Sequence, residues 1–152
     1  MINSGHTTKD LKNSIIKELY KFRNGPVAES LIKGGCPHKR VFGLLLPQIA
    51  QIANSLPKST ELAFDLWNDS DCREERILAL YIFDPKSLDK KDVMKLINDI
   101  KSIEEADLLP FKILRNLPYA SDFLQELTQS PDSSALRQHL LKMLRANLGL
   151  SS

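Results

Sequence analysis

The sequence is poor in the residues that cross-link small proteins or bind metals. Its 152 residues include two cysteines, three histidines and one tryptophan. Cys36 and Cys72 form no C-x-x-C pattern, which argues against a disulfide scaffold and favours buried or free thiols in a reducing cytosol. Cys36 and His38 have no second pair at ligand spacing, so we expect no metal site, no chemistry at these residues and no cofactor.

Long apolar runs are also missing. No stretch approaches the roughly 18 apolar residues of a membrane span, and the polar N-terminus lacks the apolar region of a signal peptide. Glycine-rich phosphate loops, a Ser/His/Asp arrangement and a G-x-S-x-G motif are absent as well. We therefore expect a cytoplasmic protein with no membrane contact.

Charge is nearly balanced, at a net +2, but it is unevenly distributed along the chain. Residues 1–50 contain eight Lys/Arg and three Asp/Glu, residues 51–100 contain seven and ten, and residues 101–152 contain six of each. The basic first third is suited to a polyanion. A solvated helix face is the alternative interpretation.

A repeated helical unit is the strongest pattern in the sequence. Apolar pairs at i, i+4 recur in steps of 31 and then 30 residues, each after a proline break. They are Leu62 and Leu66, Val93 and Ile97, and Phe123 and Leu127. Such a period is typical of stacked helical hairpins. It predicts an all-α fold, a HEAT-like or ARM-type α-α superhelix with a concave binding surface, as a single domain over 1–152.

The local patterns predict where the helices lie. We expect residues 1–6 to be disordered, Thr7 or Thr8 to cap the first helix, and Ser59 or Thr60 to cap the one that carries Trp67. Residues 42–47 could pass for a buried strand, but we interpret them as leading into a helix. An acidic junction is expected over 101–107. The remaining helices are predicted over 7–23, 27–33, 47–55, 73–83, 89–100, 110–116, 120–129 and 132–147.

Three short motifs occur in order along the middle of the chain. They are FGLLLP at 42–47, LAFDLW at 62–67, and EERILAL at 74–80 followed by Asp-Pro at 84–85. This segment resembles the HEAT-like-repeat DNA alkylation repair family, the AlkD type of DNA glycosylase. The resemblance covers roughly residues 40–110, and proteins of that family normally run well beyond this length.

The resemblance implies duplex DNA carrying alkylated, positively charged purines as the substrate. A cationic base is a good leaving group, so a carboxylate need only stabilise the oxocarbenium-like sugar that develops as the glycosidic bond breaks. Aromatic faces can hold the charged nucleotide, and basic side chains contact phosphates.

The family's W-D-x-x-D motif, placed on residues 103–107, assigns Asp107 as the catalytic aspartate. Glu104 keeps the charge of the intermediate acid. Ile103 occupies the aromatic position, and an aliphatic side chain offers no π face to a cation. The alternative role for Asp107 is a favourable interaction with the N-terminus of the helix predicted from Pro110.

The candidate DNA-binding residues are basic. Lys39 and Arg40 lie in the loop over 33–40, and Arg137, Lys142 and Arg145 lie on the last predicted helix.

Other polar and aromatic residues have simpler structural interpretations. We expect Trp67 to pack in the core, with a DNA contact as the alternative. Arg73 and Arg76 are expected to pair with neighbouring glutamates, and His6 and His139 to face solvent.

Two functions fit these observations. The first is a DNA-binding helical-repeat protein related to alkylpurine DNA glycosylases, which hydrolyses N-glycosidic bonds of alkylated bases. The alternative is a non-catalytic HEAT-like module that binds protein or DNA and has lost the glycosylase chemistry. Asp107 on the concave surface among basic residues would favour the first, and an apolar groove would favour a protein partner.

Overall fold

The computed structural model describes residues 8–68 and 70–150. Over these residues it contains α-helices and two short 3-10 helices, and no strand beyond an isolated bridge between Arg40 and Cys72. The α-helices are α1 (Thr8–Lys21), α2 (Gly25–Lys33), α3 (Leu46–Asn54), α4 (Thr60–Asn68), α5 (Arg73–Ile82), α6 (Lys90–Asp99), α7 (Ile103–Lys112), α8 (Ala120–Thr128) and α9 (Ala135–Asn147), and the 3-10 helices are Pro85–Ser87 and Leu114–Asn116. The all-α prediction is confirmed. The expected disorder at 1–6, the cap at Thr7 and the position of His6 fall outside the described residues.

The helical repeat predicted from the apolar pairs is present. Helices α4, α6 and α8 begin at Thr60, Lys90 and Ala120, a step of 30 residues each time. All six members of the apolar pairs are buried. The chain divides between Phe83 and Asp84 into two compact units, so the single domain over 1–152 stays a prediction.

In the first unit, α4 packs against α1 and α5, and α3 also packs against α5. Trp67 is fully buried. The guanidinium carbon of Arg76 lies 3.9 Å from the Trp67 ring centroid. Core packing of Trp67 is therefore confirmed, and a structural role for Arg76 takes the form of a cation–π contact.

A buried carboxylate holds the segment before α3 in place. Glu74 is 0% exposed; it accepts hydrogen bonds from the backbone N–H groups of Phe42 at 2.8 Å and Gly43 at 3.1 Å, and it pairs with Arg73 at 2.6 Å. Arg73 also donates to the Leu44 carbonyl at 2.8 Å. These bonds fix the turn that the backbone makes at residues 42–44, just before α3. The interpretation of 42–47 as leading into a helix is thus correct.

Gly43 is the residue that this turn requires. Its φ of +89° lies in the left-handed region, which disfavours residues with a Cβ. A Cβ there would also meet the Asn24 carbonyl and come within 2.7 Å of the Ala28 nitrogen, so the turn lies directly against the start of α2.

In the second unit, α7 packs along α9, and α8 also packs on α9. Side-chain oxygens cap three of the helices here, from Asp89 for α6, Ser102 for α7 and Ser134 for α9. Each accepts a bond from the third residue of its helix, as N-cap residues do.

The acidic junction predicted over 101–107 and the helix predicted from Pro110 are wrong. Residues 103–112 form one helix, and the next residues form the short 3-10 turn. Ser102 accepts from the Glu105 N–H at 3.1 Å, and Glu105 accepts in return from the Lys101 N–H at 2.8 Å. These two bonds, one to the N-cap residue and one from the residue before it, start the helix at Ile103. Pro110 lies inside it, buried with its apolar neighbours, which compensates for the missing N–H.

No helix among the described residues is long and apolar enough to cross a membrane.

We expect Glu74→Gln to lower the free energy of unfolding by about 3–5 kcal/mol, as when one partner of a buried ion pair is lost. Glutamine cannot accept with both of its terminal atoms, so one backbone N–H would lose its partner and Arg73 would keep an uncompensated buried charge. Urea denaturation followed by circular dichroism measures the change.

The matched control for that variant is Glu29→Gln, whose side chain is 69% exposed and pairs with Lys33. It should change stability by no more than about 0.5 kcal/mol. Equal stability of the two variants would contradict the structural role of Glu74.

The two cysteines should differ sharply in reactivity. Burial raises the pKa of Cys72 to about 12, whereas Cys36 is only half-buried. The thiolate is the reactive form, and at pH 8 only about one Cys72 thiol in ten thousand would be ionised. Iodoacetamide at pH 8 should therefore label Cys36 alone in the native protein and both residues in denaturant, as read by mass spectrometry. Native labelling of both at similar rates would contradict the burial.

Candidate nucleic-acid interface

The loop that carries Lys39 and Arg40 is attached to the start of α5. The Arg40 N–H donates to the Asp71 carbonyl at 3.1 Å, and the Arg40 carbonyl accepts from the Arg73 N–H at 3.0 Å. The Lys39 side chain is 90% exposed, with its ammonium 4.0 Å from the Asp71 carboxylate. The Arg40 guanidinium pairs with Glu75 at 2.7 Å and stays 57% exposed. Both charges therefore face solvent.

An open groove in the first unit joins this loop to α1. Lys12, Lys39 and Arg40 supply three cations, and Asp71 and Glu75 supply two acids; Ile16 and Ser70 complete the lining. Because Arg40 pairs with Glu75 and Lys39 lies near Asp71, these four charges compensate one another in part, and Lys12 supplies the one excess positive charge of the lining. The groove thus presents a modest positive surface to an anion.

Arg137 is placed differently from the other candidate cations. It is 5% exposed. Its guanidinium donates to Asn98 Oδ1 at 2.9 Å and to the Ser130 hydroxyl at 3.3 Å, and it lies 3.5 Å from the Asp132 carboxylate. These contacts join the start of α9 to the end of α6. The side chain holds helices together and offers little charge to a ligand.

The remaining candidate cations lie further along α9. Lys142 is exposed, and Arg145 is half-buried with a guanidinium nitrogen 3.2 Å from the Thr128 hydroxyl. Arg145 and Thr128 line a second open groove, between α8 and α9. A hydroxyl contact leaves the charge of Arg145 uncompensated, so both residues can contribute positive potential.

Asp107 lies near the middle of α7, where its carboxylate meets a histidine from α9. Oδ1 of Asp107 is 2.5 Å from Nε2 of His139, and the two side chains are 45% and 31% exposed. The expectation that His139 simply faces solvent is wrong, because the packing of α7 on α9 brings it to Asp107. The alternative role of Asp107 at the start of a helix from Pro110 is wrong too, because that helix begins at Ile103.

An exposed aromatic side chain, which the sequence analysis did not identify, lies beyond Asp107. Ile103, Asp107 and Phe111 follow at i, i+4 and i+8, so they share one side of α7. Ile103 is 52% exposed and Phe111 is 41% exposed. The spacing was visible in the sequence once residues 103–112 are taken as one helix.

The cysteine–histidine pair offers no ligand set. His38 is 5% exposed and Cys36 is half-buried. Over residues 8–68 and 70–150, no group of three or more His, Cys, Asp or Glu side chains is arranged to hold a metal ion.

The chain is similar to known proteins both in sequence and in structure. A family model described as "DNA alkylation repair enzyme" matches residues 15–140. A search of curated proteins found no match. One similar solved structure is described as "a new family of proteins related to the HEAT-like repeat DNA glycosylases with affinity for branched DNA structures".

That structure and this chain share 21% sequence identity and superpose with a TM-score of 0.78. The match covers 90% of this chain and 56% of the other, so this chain spans little more than half the length of its structural neighbour. The HEAT-like all-α fold predicted from the repeat is confirmed.

Proposed function

The chain belongs to the DNA alkylation repair enzyme family, and from that premise we propose that it binds duplex DNA and that Asp107 acts in hydrolysis of the N-glycosidic bonds of alkylated purines. The observation that carries the proposal is the half-exposed Asp107 carboxylate, which His139 holds on the side of α7. The two parts, binding and chemistry, depend on different residues and can be tested apart.

Exposed cations support the binding part. Lys39 and Arg40 extend from the first-unit groove, and Lys142 and Arg145 lie on α9. Arg137 remains a weaker candidate because its guanidinium is buried. Contacts between such cations and phosphates supply the sequence-independent part of DNA affinity. The affinity for branched DNA described for a protein of the same fold also favours a nucleic-acid ligand.

The chemistry part follows from the charge of Asp107. When the bond between C1′ of the sugar and a cationic purine breaks, the electron pair leaves with the base, which becomes neutral, and positive charge develops on the sugar. A carboxylate beside that sugar lowers the barrier. Water then adds to C1′ and loses a proton. His139, when its proton is on Nε2, donates to Asp107 and fixes the carboxylate without neutralising it.

Ile103 favours the alternative, a module without glycosylase activity. It is an exposed aliphatic residue one turn before Asp107, on the side of α7 where a cationic base would need an aromatic face. A protein-interaction module remains the second candidate; it predicts no salt-sensitive affinity for DNA.

Fluorescence anisotropy with a labelled duplex should show binding that weakens as salt rises. We expect Lys39→Gln and Lys142→Gln each to reduce affinity several-fold and to lower the slope of log K against log salt by about 0.9, the value for one phosphate contact. Lys21→Gln is the matched control, since Lys21 is 70% exposed and pairs with Glu18. No binding by the unmodified protein at low salt would refute the DNA proposal.

Release of methylated purines from an alkylated duplex tests the chemistry. Asp107→Asn should lower the rate by roughly 10²–10³-fold, the range for loss of one electrostatic stabiliser of a transition state, with affinity for DNA nearly unchanged. Asp122→Asn, at an exposed position in the first turn of α8, should leave the rate unaltered. Intact DNA binding with no base release would support the non-catalytic alternative.

A further inference from the structure

Phe111 is an exposed aromatic residue in the last turn of α7. It is 41% exposed, whereas the residues just before it, Leu108, Leu109 and Pro110, are buried. The helix therefore has its core contacts without this ring. Single exposed apolar side chains are common at protein surfaces, so the case for a ligand depends on the groups around this ring.

Two cations at the C-terminal end of α7 contact the Phe111 ring. The guanidinium carbon of Arg115 lies 4.0 Å from the Phe111 ring centroid, and the Lys112 ammonium lies 5.4 Å from it. Arg115 Nε also donates to the Phe111 carbonyl at 2.7 Å. That bond fixes the guanidinium over one face of the ring, so that the opposite face is the one a ligand could use, and it leaves the two terminal nitrogens for another acceptor.

A similar local arrangement ends α1, where Arg23 lies 3.9 Å from the Tyr20 ring centroid and donates to the Tyr20 carbonyl. An arginine stacked on an aromatic ring therefore occurs at the ends of both α1 and α7, and by itself it does not indicate a ligand site. The two sites differ in what else the ring contacts. Tyr20 packs edge-on against the Phe42 ring at 6.1 Å, so it has a packing partner within the fold. In the described part of the chain, Phe111 makes no such ring pair.

We propose that Phe111 is a stacking platform for an unpaired nucleobase, with Arg115 contacting a phosphate next to that base. The inference rests on the proposed DNA binding and adds a ligand class to it, namely DNA with a displaced or bulged base. Every base has a π face that can stack on an aromatic side chain without sequence preference. The base would stack on the ring face opposite the guanidinium, which in turn suits the phosphate that accompanies the base.

The charges around Phe111 favour this occupant over an acidic peptide. Asp107 lies one turn earlier on the same side of α7, about 6 Å away at Cβ by helix geometry. A carboxylate there would repel an acidic side chain stacked on Phe111, whereas it tolerates a neutral or cationic base. The Arg115 guanidinium, on the far side of the ring from Asp107 along the chain, would bind the phosphate.

The test uses the full chain and two labelled duplexes of equal length, one fully paired and one with a single bulged 2-aminopurine. The unmodified protein should bind the bulged duplex at least about five-fold more tightly, from one stacked base, and should quench 2-aminopurine fluorescence. Phe111→Leu should abolish the preference and the quenching while leaving affinity for the paired duplex unchanged. Phe111→Trp should retain both. Tyr20→Leu is the matched control and should behave as the unmodified protein.

The outcomes separate this inference from the proposed function. Equal binding of the two duplexes, or a bulge preference that survives Phe111→Leu, would overturn the platform while DNA binding stands. If the unmodified protein binds neither duplex, the proposed function itself is overturned. Circular dichroism of each variant identifies any that fails to fold, and Phe111→Trp then still tests the stacking through fluorescence quenching.

Discussion

The first unit depends on the hydrogen bonds and the ion pair of one buried carboxylate, that of Glu74. It accepts from two consecutive backbone N–H groups of the turn at 42–43 and is neutralised by Arg73, which itself donates to Leu44. The turn is pressed against α2 at Gly43, and the adjoining loop presents Lys39 and Arg40. Because a buried charge is stable only with its partners in place, this cluster fixes the loop geometry as a whole. The positions of Lys39 and Arg40 in the candidate interface therefore depend in part on a group that is itself fully buried.

The fold was largely predictable, because its determinants are local and periodic. Apolar pairs after proline breaks gave the repeat, and the helices α4, α6 and α8 begin one repeat apart. The error at 101–112 has a local cause as well. Pro110 favours a helix start at its own position, although Ser102 and Glu105 form the S-x-x-E pattern of a helix capped at Ser102. A proline is tolerated there because burial of the surrounding residues outweighs one lost hydrogen bond.

The candidate site was less predictable, because it depends on contacts between distant residues. Asp107 and His139 are 32 positions apart and meet only because α7 packs along α9. Likewise, charge alone does not distinguish Arg137, buried among Asn98, Ser130 and Asp132, from Lys142, which is exposed on the same helix. Only the helical spacing of Arg137 with the apolar stripe of α9 indicates its buried side. A basic residue is a phosphate contact or a helix clamp according to which side of the helix faces the core, and that is set by tertiary packing.

In the proposed reaction, the exposure of Asp107 would link binding to chemistry. At 45% exposed, the carboxylate is largely surrounded by water, where its interaction with a developing positive charge is weak. The same charge acts strongly only after water is excluded, and in this unit the bound nucleic acid itself would have to cover it. A base stacked on Phe111 would cover part of the carboxylate, in addition to its contact with His139. Ile103 can exclude water too, but it offers no favourable contact to a cationic base. The carboxylate is therefore held in position by the protein, while its strength in the proposed reaction would depend on how closely bound DNA seals the side of α7 from solvent.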